Sequence, residues 1–235
     1  MDYIDDIAAA SFFGASYVSL PLQEARSSTE ISMRLKTHRS DALLLLAAGT
    51  TDYCLVVLEG GALRVRINLG AGESELSSPP RLRLDDLLWH DVRISRSTAE
   101  MSLTIDNIHT TRLTLPGRFH ELNIHYGVFL GGMGDFTEVF LGLLDNFRGC
   151  LDQVVYNGLE VFREVQEDPK SADVYAVEWE CSDEFDAPAD TAISFIKQGA
   201  YVAFQDSLPR TGGSIRMEVD RDSSWIRETE LSVST

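Results

Sequence analysis

The amino-acid sequence predicts an all-β fold, an antiparallel β-sandwich followed by an incomplete second copy of the same fold. Two observations predict the sandwich: short runs of branched and aromatic residues recur with an apolar–polar period of two, and turn-forming residues separate them. A third observation, an internal repeat near the end of the chain, predicts the second copy. Helical periodicity is nearly absent, and only Leu159 to Val165 is expected to form a turn or two of helix.

The strands are predicted in chain order from this alternation. Ile31, Met33 and Leu35 alternate with polar residues, which is typical of a strand with one buried face. Leu43 to Ala47 is continuously apolar, so we expect this strand to be buried on both faces. Further strands are predicted at Tyr53 to Leu58, Leu63 to Leu69, Trp89 to Ser95, Met101 to Ile105, Tyr126 to Leu130 and Leu151 to Tyr156.

Glycines mark the points where the backbone must turn sharply or approach another segment closely. Gly60 and Gly61 separate two of the predicted strands, and adjacent glycines supply the positive φ angles of a tight hairpin turn. Gly131, Gly132 and Gly149 lie beside predicted strands, where we expect a side chain to be excluded. These glycines are therefore interpreted as architectural.

The internal repeat joins residues that lie 184 positions apart in the chain. Three pairs share this offset: Tyr17 and Tyr201, Ile31 and Ile215, Met33 and Met217. The second copy is too short to bury the faces of its strands as a complete sandwich does. We therefore predict one domain over residues 8–181, the truncated start of a second over 182–220, and a polar, disordered tail over 221–235.

Composition and charge limit the functions that this chain can have. With 44% hydrophobic and 24% charged residues, it can bury the core of an ordinary globular domain. Its 37 acidic and 20 basic residues give a net charge of −17, which repels phosphate backbones and excludes nucleic acid as a partner. The most basic region is scattered among acids, which favours solvated strand faces over a glycan-binding patch; it comprises Arg64, Arg66, Arg81, Arg83, Arg93 and Arg96.

Four stretches carry a family resemblance by their order and spacing. They are Ala10 to Gly14, Ala42 to Gly49 leading to Asp52 and Tyr53, Trp89 to Val92, and Gly127 to Gly132 followed by Phe147 to Leu151. In this pattern the chain resembles the laminin G-like domains of membrane-spanning proteoglycans over roughly residues 10 to 220. The resemblance implies a concanavalin-like jelly roll that binds extracellular matrix or cell-surface proteins, with glycans as a further class of ligand.

Three cysteines, Cys54, Cys150 and Cys181, leave one unpaired whatever bonds form. In laminin G-like domains the last strand is joined covalently to the segment that leaves the domain, and the resemblance implies this disulfide between Cys150 and Cys181. Cys54 lies within an apolar strand and has no basic neighbour to lower its pKa. It is therefore expected to be a buried free thiol and not a nucleophile.

The resemblance also implies a calcium site at one rim of the sandwich. Position by position, Asp52 matches the carboxylate ligand, Asn123 matches the second side-chain ligand, and Leu69 and Glu121 would offer backbone carbonyls. Calcium prefers six to eight oxygen ligands, and a site with a single carboxylate is expected to be weak, at about 10⁻⁴ to 10⁻³ M. No other cofactor is expected.

Aromatic and histidine residues give little support to a catalytic metal. We expect Trp89 to pack in the sandwich core and His90 to lie at the strand edge, with no nearby Cys or His to complete a ligand set. His120 and His125 are five positions apart in a β-like segment, so they do not form the helical zinc motif that requires four.

A retaining glycosidase of the same jelly-roll shape is the enzymatic alternative. It would need two carboxylates about 5 to 5.5 Å apart. The nearest candidates, Glu178 and Glu180, lie in the linker before Cys181, outside the predicted strands, and no nucleophile elbow or phosphate-binding glycine loop is present. The sequence therefore predicts a non-enzymatic binding module. A neurexin-like calcium-dependent adhesion module, a lectin-like glycan-binding domain and a truncated product with no stable function stay open as alternatives.

The predicted location is the extracellular space or the cell surface, on the strength of the resemblance. No stretch of the sequence approaches the roughly 20 apolar residues of a membrane span. Met1 to Ile7 lacks the basic and apolar regions of a signal peptide. The lack of a signal peptide conflicts with this location and leaves a cytosolic protein as the alternative. Because of the cysteine pattern and the resemblance, we expect this chain to be the ectodomain part of a longer membrane protein.

Overall fold

Two antiparallel sheets pack face to face in the computed structural model, which describes residues 9–136 and 144–185. The first sheet contains, in spatial order, β1 (Ala10–Phe13), β14 (Arg148–Tyr156), β4 (Ser28–Lys36), β9 (His90–Ser97), β10 (Glu100–Ile105) and β11 (His109–Thr114), with β15 (Leu159–Glu160) paired to β14. The second contains β16 (Asp173–Tyr175), β2 (Tyr17–Leu20), β13 (Gly127–Leu130), β5 (Ala42–Ala48), β6 (Tyr53–Glu59), β7 (Ala62–Asn68) and β8 (Glu73–Ser77). A two-stranded ribbon joins β3 (Glu24–Arg26) to β12 (Leu122–Ile124). The prediction of an all-β antiparallel sandwich is confirmed.

The core between the sheets is built from the inward phase of each strand. In β4 the residues Ile31, Met33 and Leu35 are buried and alternate with more exposed positions, as the period of two predicted. They belong to one apolar cluster with inward residues of the second sheet such as Val56 and Leu58. The alternation in the sequence thus identifies the surface that holds the sheets together.

Strand β5 is buried along its whole length, which confirms the prediction for the apolar run. A register irregularity between Leu43 and Leu45 interrupts the regular alternation, so that the adjacent Leu44 and Leu45 lie on the same side of the sheet, whereas Leu43 and Leu46 lie on the other. One side joins the core between the sheets. The other side forms a second apolar cluster on the outer face of the sheet, which includes Leu46 and Phe129 and is covered in part by Phe136, whose ring centroid lies 4.7 Å from that of Phe129.

The predicted hairpin and close backbone approaches are present. Gly60 and Gly61 connect β6 to β7 with φ angles of 58° and 77°, which an L-residue with a side chain adopts only under strain. A Cβ atom at Gly149 would lie 2.3 Å from the carbonyl oxygen of Lys36, so β14 and β4 require glycine at this crossing.

A strap that comprises residues 173–185 closes one side of the sandwich. Its first part, β16, pairs with β2 in the second sheet, and Glu178 then forms a β-bridge to Ser11 in the first sheet. Cys181 is joined to Cys150 in β14, the pairing that the family resemblance implied. The buried Ser11 hydroxyl donates to the Glu180 carbonyl oxygen at 2.6 Å and accepts from the Ser182 backbone nitrogen at 2.8 Å. The strap therefore ties both sheets together.

Trp89 lies just before β9 and outside the core. The prediction that Trp89 lies in the core is wrong: it is half-buried, and the Arg34 guanidinium lies 5.0 Å from its ring centroid. The inward-facing residues of β9 are His90, Val92 and Ile94, so Trp89 is one residue out of phase with the buried face.

The predicted helical turns are found as α1 (Val161–Glu167), which buries Phe162 against Trp179 of the strap.

The predicted second copy over 182–220 and the tail over 221–235 fall outside the described residues, apart from residues 182–185. There Asp183–Phe185 forms one turn of 3-10 helix. The second copy stays a prediction. Within the described ranges, no helix combines the length and apolar character needed to cross a membrane.

Candidate ligand site at the rim of the sandwich

A depression of about 620 Å³ lies where several strand connections meet at one rim of the sandwich. Its wall is formed by Ser27, Asp52, Leu69, Gly70, Thr98, Arg118, Phe119, His120, Glu121 and Asn123. All four positions matched to calcium ligands in the sequence are in this set. Asp52 comes from the β5–β6 connection, Leu69 follows β7, Glu121 precedes β12, and Asn123 lies in β12. The structure therefore brings together residues that are far apart in the chain.

The Asp52 carboxylate anchors this rim. Its Oδ2 atom accepts hydrogen bonds from the backbone nitrogen of Asn123 at 3.1 Å and from Nδ2 of Asn123 at 2.7 Å. The hydroxyl of Thr51 donates to the other oxygen at 3.1 Å. Asp52 is only 5% exposed, so the three bonds compensate for much of the cost of burying a charge.

The contact between Asp52 and Asn123 also depends on Gly49, three residues before Asp52 in the same connection. The backbone nitrogen of Gly49 donates to the Asp52 carbonyl oxygen at 2.7 Å. A Cβ atom at Gly49 would overlap the carbonyl oxygen of Asn123 at 1.8 Å, so any larger residue would push β12 away from the β5–β6 connection. Close backbone approach thus places Asp52 and Asn123 side by side.

The donor set at the depression fits a weak calcium site. Asp52 has a carboxylate and Asn123 has a side-chain amide oxygen, which are ligand types that calcium prefers, and Leu69 and Glu121, matched in the sequence as carbonyl donors, line the same depression. In the part of the chain that the structure describes, no group of three or more His, Cys, Asp or Glu side chains is placed to hold a metal ion. Neutral oxygens would therefore have to provide most of the ligands.

The depression is also lined by three residues that the sequence did not predict to bind a ligand. Arg118 adds a positive charge, Arg118 and His120 are both able to donate hydrogen bonds, and Phe119 is 61% exposed on the same loop. No periodic pattern marks the loop before β12, so only the three-dimensional structure shows that it faces Asp52.

Beneath the rim lies Arg96, which the sequence placed in the scattered basic region. It is 1% exposed and donates to the carbonyl oxygens of Ser27, Thr98 and His120. The alternation of β9 could have indicated that Arg96 is buried, because Arg96 lies on the same inward face of the strand as Val92 and Ile94.

The other arginines of that region are dispersed over the surface. Arg64 and Arg66 on β7 lie between Glu59 and Glu75, with Arg64 Nε 3.1 Å from Glu59 and Arg66 Nε 3.0 Å from Glu75. Arg83 pairs with Asp85. These pairs fit the interpretation of solvated strand faces, because the arginines are neutralised within the sheet surface.

Cys54 lies in the core, where it is 1% exposed. Burial raises the pKa of its thiol to about 12, and the charge of Arg96 opposes this only partly. A thiol of this pKa carries almost no thiolate at neutral pH, so Cys54 is a poor nucleophile.

His90 is the first residue of β9 and is buried between two carboxylates. Its Nδ1 atom lies 2.9 Å from Asp106 Oδ2, and its Nε2 atom lies 3.0 Å from Asp86 Oδ1. Burial by itself lowers the pKa of His90, but the hydrogen bonds to Asp106 and Asp86 outweigh burial and raise this pKa above its ordinary value. His90 thus clamps the loop before β9 to the β10–β11 turn.

The carboxylates of the enzymatic alternative lie on the strap. Glu178 and Glu180 are exposed, and the backbone of each bonds to Ser11. They flank Trp179, which packs on Phe162, and neither carboxylate lines the rim depression.

Comparison with known proteins identifies the family. The family model described as "Laminin G domain" matches residues 35–159. The chain is 32% identical over 209 residues to chondroitin sulfate proteoglycan 4 of Rattus norvegicus, which covers 88% of this chain and 9% of that protein. It is also 32% identical over 165 residues to contactin-associated protein 1 of Rattus norvegicus, and this match covers 64% of this chain and 11% of that protein. The chain thus spans about a tenth of the length of these relatives.

Solved structures share the fold at lower sequence identity. Domains LG4-5 of the mouse laminin alpha1 chain match with a TM-score of 0.62 and 22% identity over 75% of this chain and 47% of that chain. The LG1-3 region of the laminin alpha2 chain matches with a TM-score of 0.65 and 20% identity, and the match covers 75% of this chain and 35% of that chain. The two-sheet architecture, the fold of these neighbours and the family match over more than half of the sequence agree, and the chain belongs to the laminin G domain family.

Proposed function

We propose that this chain is a non-enzymatic, extracellular binding module that engages matrix or cell-surface ligands at the rim depression, with calcium as an assisting ion. The observation that carries the proposal is the convergence of Asp52, Leu69, Glu121 and Asn123 on one depression. These positions come from separate connections, and the hydrogen bonds between Asp52 and Asn123 fix two of them together.

An extracellular location is supported by the disulfide between Cys150 and Cys181, because such bonds persist in oxidising compartments and are rare in the cytosol. Two relatives add support by name, one as a proteoglycan and one as a contactin-associated protein. We extend binding of cell-surface or matrix proteins to this chain on that basis. The net charge of −17 argues against nucleic acid as a partner.

The residues of the depression have complementary roles in this proposal. Asp52, Asn123 and the carbonyls of Leu69 and Glu121 would hold calcium, which supplies a positive centre for oxygen atoms of the ligand. Arg118 and His120 would donate hydrogen bonds to ligand oxygens at the same depression. Phe119, exposed beside them, would contribute apolar contact.

A lectin-like, glycan-binding function is the second candidate, and Phe119 favours it. An exposed aromatic ring next to planar polar groups provides an apolar surface for a sugar ring and hydrogen bonds for its hydroxyls. The two candidates differ in their dependence on calcium, because the glycan candidate can rely on the side chains alone.

Binding of the secreted chain to cell-deposited matrix and to cell surfaces tests the proposal. We expect Arg118→Ala and Phe119→Ala to weaken binding by roughly fivefold or more, since both remove exposed contact groups without disturbing the core. Matched controls are Arg93→Ala and Leu88→Ala, which alter exposed residues outside the depression. Equal binding by all four variants would overturn the rim as the ligand site, and binding that survives chelation of calcium would favour the glycan candidate.

A further inference from the structure

The guanidinium of Arg96 is the centre of an unusual group of hydrogen bonds. Its Nη1 atom donates to the carbonyl oxygens of His120 at 2.7 Å, Ser27 at 3.1 Å and Thr98 at 3.1 Å. Its Nη2 atom donates to the carbonyl oxygen of Arg26 at 2.9 Å and to Thr29 Oγ1 at 3.0 Å. Five oxygen atoms therefore converge on one side chain.

This cation is compensated by dipoles and not by a carboxylate. Arg96 is 1% exposed, and among residues 9–136 and 144–185 no carboxylate lies within ion-pair distance of it. Transfer of an unpaired charge out of water is costly, so a buried guanidinium is retained only when polar groups surround it. Conversely, the converging carbonyl oxygens repel one another unless a cation lies between them.

Three of these carbonyls belong to residues that line the rim depression, namely Ser27, Thr98 and His120. They come from three different connections: Ser27 lies between β3 and β4, Thr98 between β9 and β10, and His120 in the loop before β12. A single side chain on β9, which is paired on both sides within the first sheet, thus holds three of the segments that form the wall.

One of these segments is under backbone strain. Thr98 has a φ of 53°, a left-handed conformation that β-branched residues rarely adopt. Its carbonyl accepts from Arg96, and its backbone nitrogen donates to the Ser27 carbonyl oxygen at 2.8 Å. Arg96 and Ser27 together stabilise the turn in this conformation.

We propose that Arg96 is the positioning residue that assembles the rim from within, as a cation tethered to the chain, so that the depression is formed before any metal ion or ligand binds. The inference rests on the proposed function only in taking this depression as the ligand site. Calcium then adds to a wall that already exists, and the loop that carries Phe119 is held in place in metal-free protein.

Hydrogen exchange of the full oxidised chain in buffer with EDTA tests this proposal without any ligand. In the wild type, the amides of Thr98 and Asn123 are expected to be protected, since both donate within the rim. Arg96→Met should raise their exchange rates roughly tenfold or more, while amides of the central strands β5 and β6 keep their rates. Arg93→Met, which removes an exposed cation three positions earlier on the same strand, should behave as wild type.

Arg96→Lys keeps the proposal testable if Arg96→Met unfolds. Lysine retains the charge but has fewer hydrogen-bond donors and no planar guanidinium. We therefore expect the exchange rates of the rim amides to rise to values between those of the wild type and Arg96→Met, with no change in the core. Rim amides that exchange as in wild type in both variants would overturn the proposal, as would a uniform increase over rim and core, or rim amides protected in wild type only after calcium is added. If the wild type does not bind matrix or cell surfaces, the proposed function is refuted, but the exchange result for Arg96 is unaffected.

Discussion

Asp52 and Asn123 are 71 positions apart in the sequence, yet Oδ2 of Asp52 accepts from both the backbone nitrogen and the side-chain amide of Asn123. Each residue was matched separately to a calcium ligand, and the structure places them in direct contact. The contact makes the Asp52 carboxylate a structural link between the β5–β6 connection and β12 as well as a candidate ligand.

Removal of this carboxylate should destabilise the domain. Asp52→Ala leaves the half-buried Asn123 N–H without its acceptor, which costs about 1 to 3 kcal/mol of unfolding free energy. Asp52→Asn can retain one acceptor and should cost less. Urea unfolding of both variants measures the difference, with Asp91→Ala as an exposed control. A loss below roughly 0.5 kcal/mol for Asp52→Ala would show that the link contributes little.

The disulfide should be a major contributor to stability. The double variant Cys150→Ser, Cys181→Ser releases a bond that spans 31 positions, and the chain-entropy account gives a loss of about 3 to 4 kcal/mol. Urea unfolding with and without reductant measures it: reductant should destabilise the wild type and leave the double variant unchanged. If mass mapping of secreted protein found both thiols free, the closure of the sandwich by the strap would be refuted.

The third cysteine should be inert in the folded protein. Burial raises the pKa of Cys54 to about 12, so the thiolate that reacts with alkylating agents is scarce at pH 8 and is inaccessible as well. We expect one equivalent of thiol to react only after the protein is unfolded in denaturant. Rapid labelling of the native protein would contradict this placement.

His90 should make stability depend on pH with a defined sign. The native state raises the pKa of His90 above its ordinary value of 6.5, because Asp106 and Asp86 bind the protonated ring. Its contribution is therefore fully present below pH 6.5 and is lost as pH rises through the raised native pKa. The difference in melting temperature between wild type and His90→Gln should be larger at pH 6 than at pH 8.5. A difference that is constant over this range, or that grows with pH, would refute the clamp.

The parts of the fold that the sequence predicted are those in which burial sets a clear period. Ile31, Met33 and Leu35 alternate because one face of β4 is buried, and β5 is apolar throughout because both of its faces are covered. Strands such as β11 and β16 lack this signal, since most of their residues are exposed and pairing with a neighbour alone defines them.

The site was only partly predictable for a similar reason. Family resemblance indicated Asp52 and Asn123, but the loop with Phe119 has no period, and Arg96 has the residue type of a surface position. Its inward phase in β9 was the one local signal of burial, and the carbonyls that bind it come from segments that only the tertiary fold brings together.

Calcium titration of ¹⁵N-labelled protein, followed by NMR, is the sharpest test of whether the rim depression is a calcium-assisted binding site. We expect calcium up to about 10 mM to shift the amide signals of the four matched positions, Asp52, Leu69, Glu121 and Asn123, and of their neighbours. Magnesium should not shift them, and Asp52→Ala should abolish the response to calcium. Shifts that cluster elsewhere on the sandwich, or no shift at all at this concentration, would contradict a calcium-assisted site at the rim.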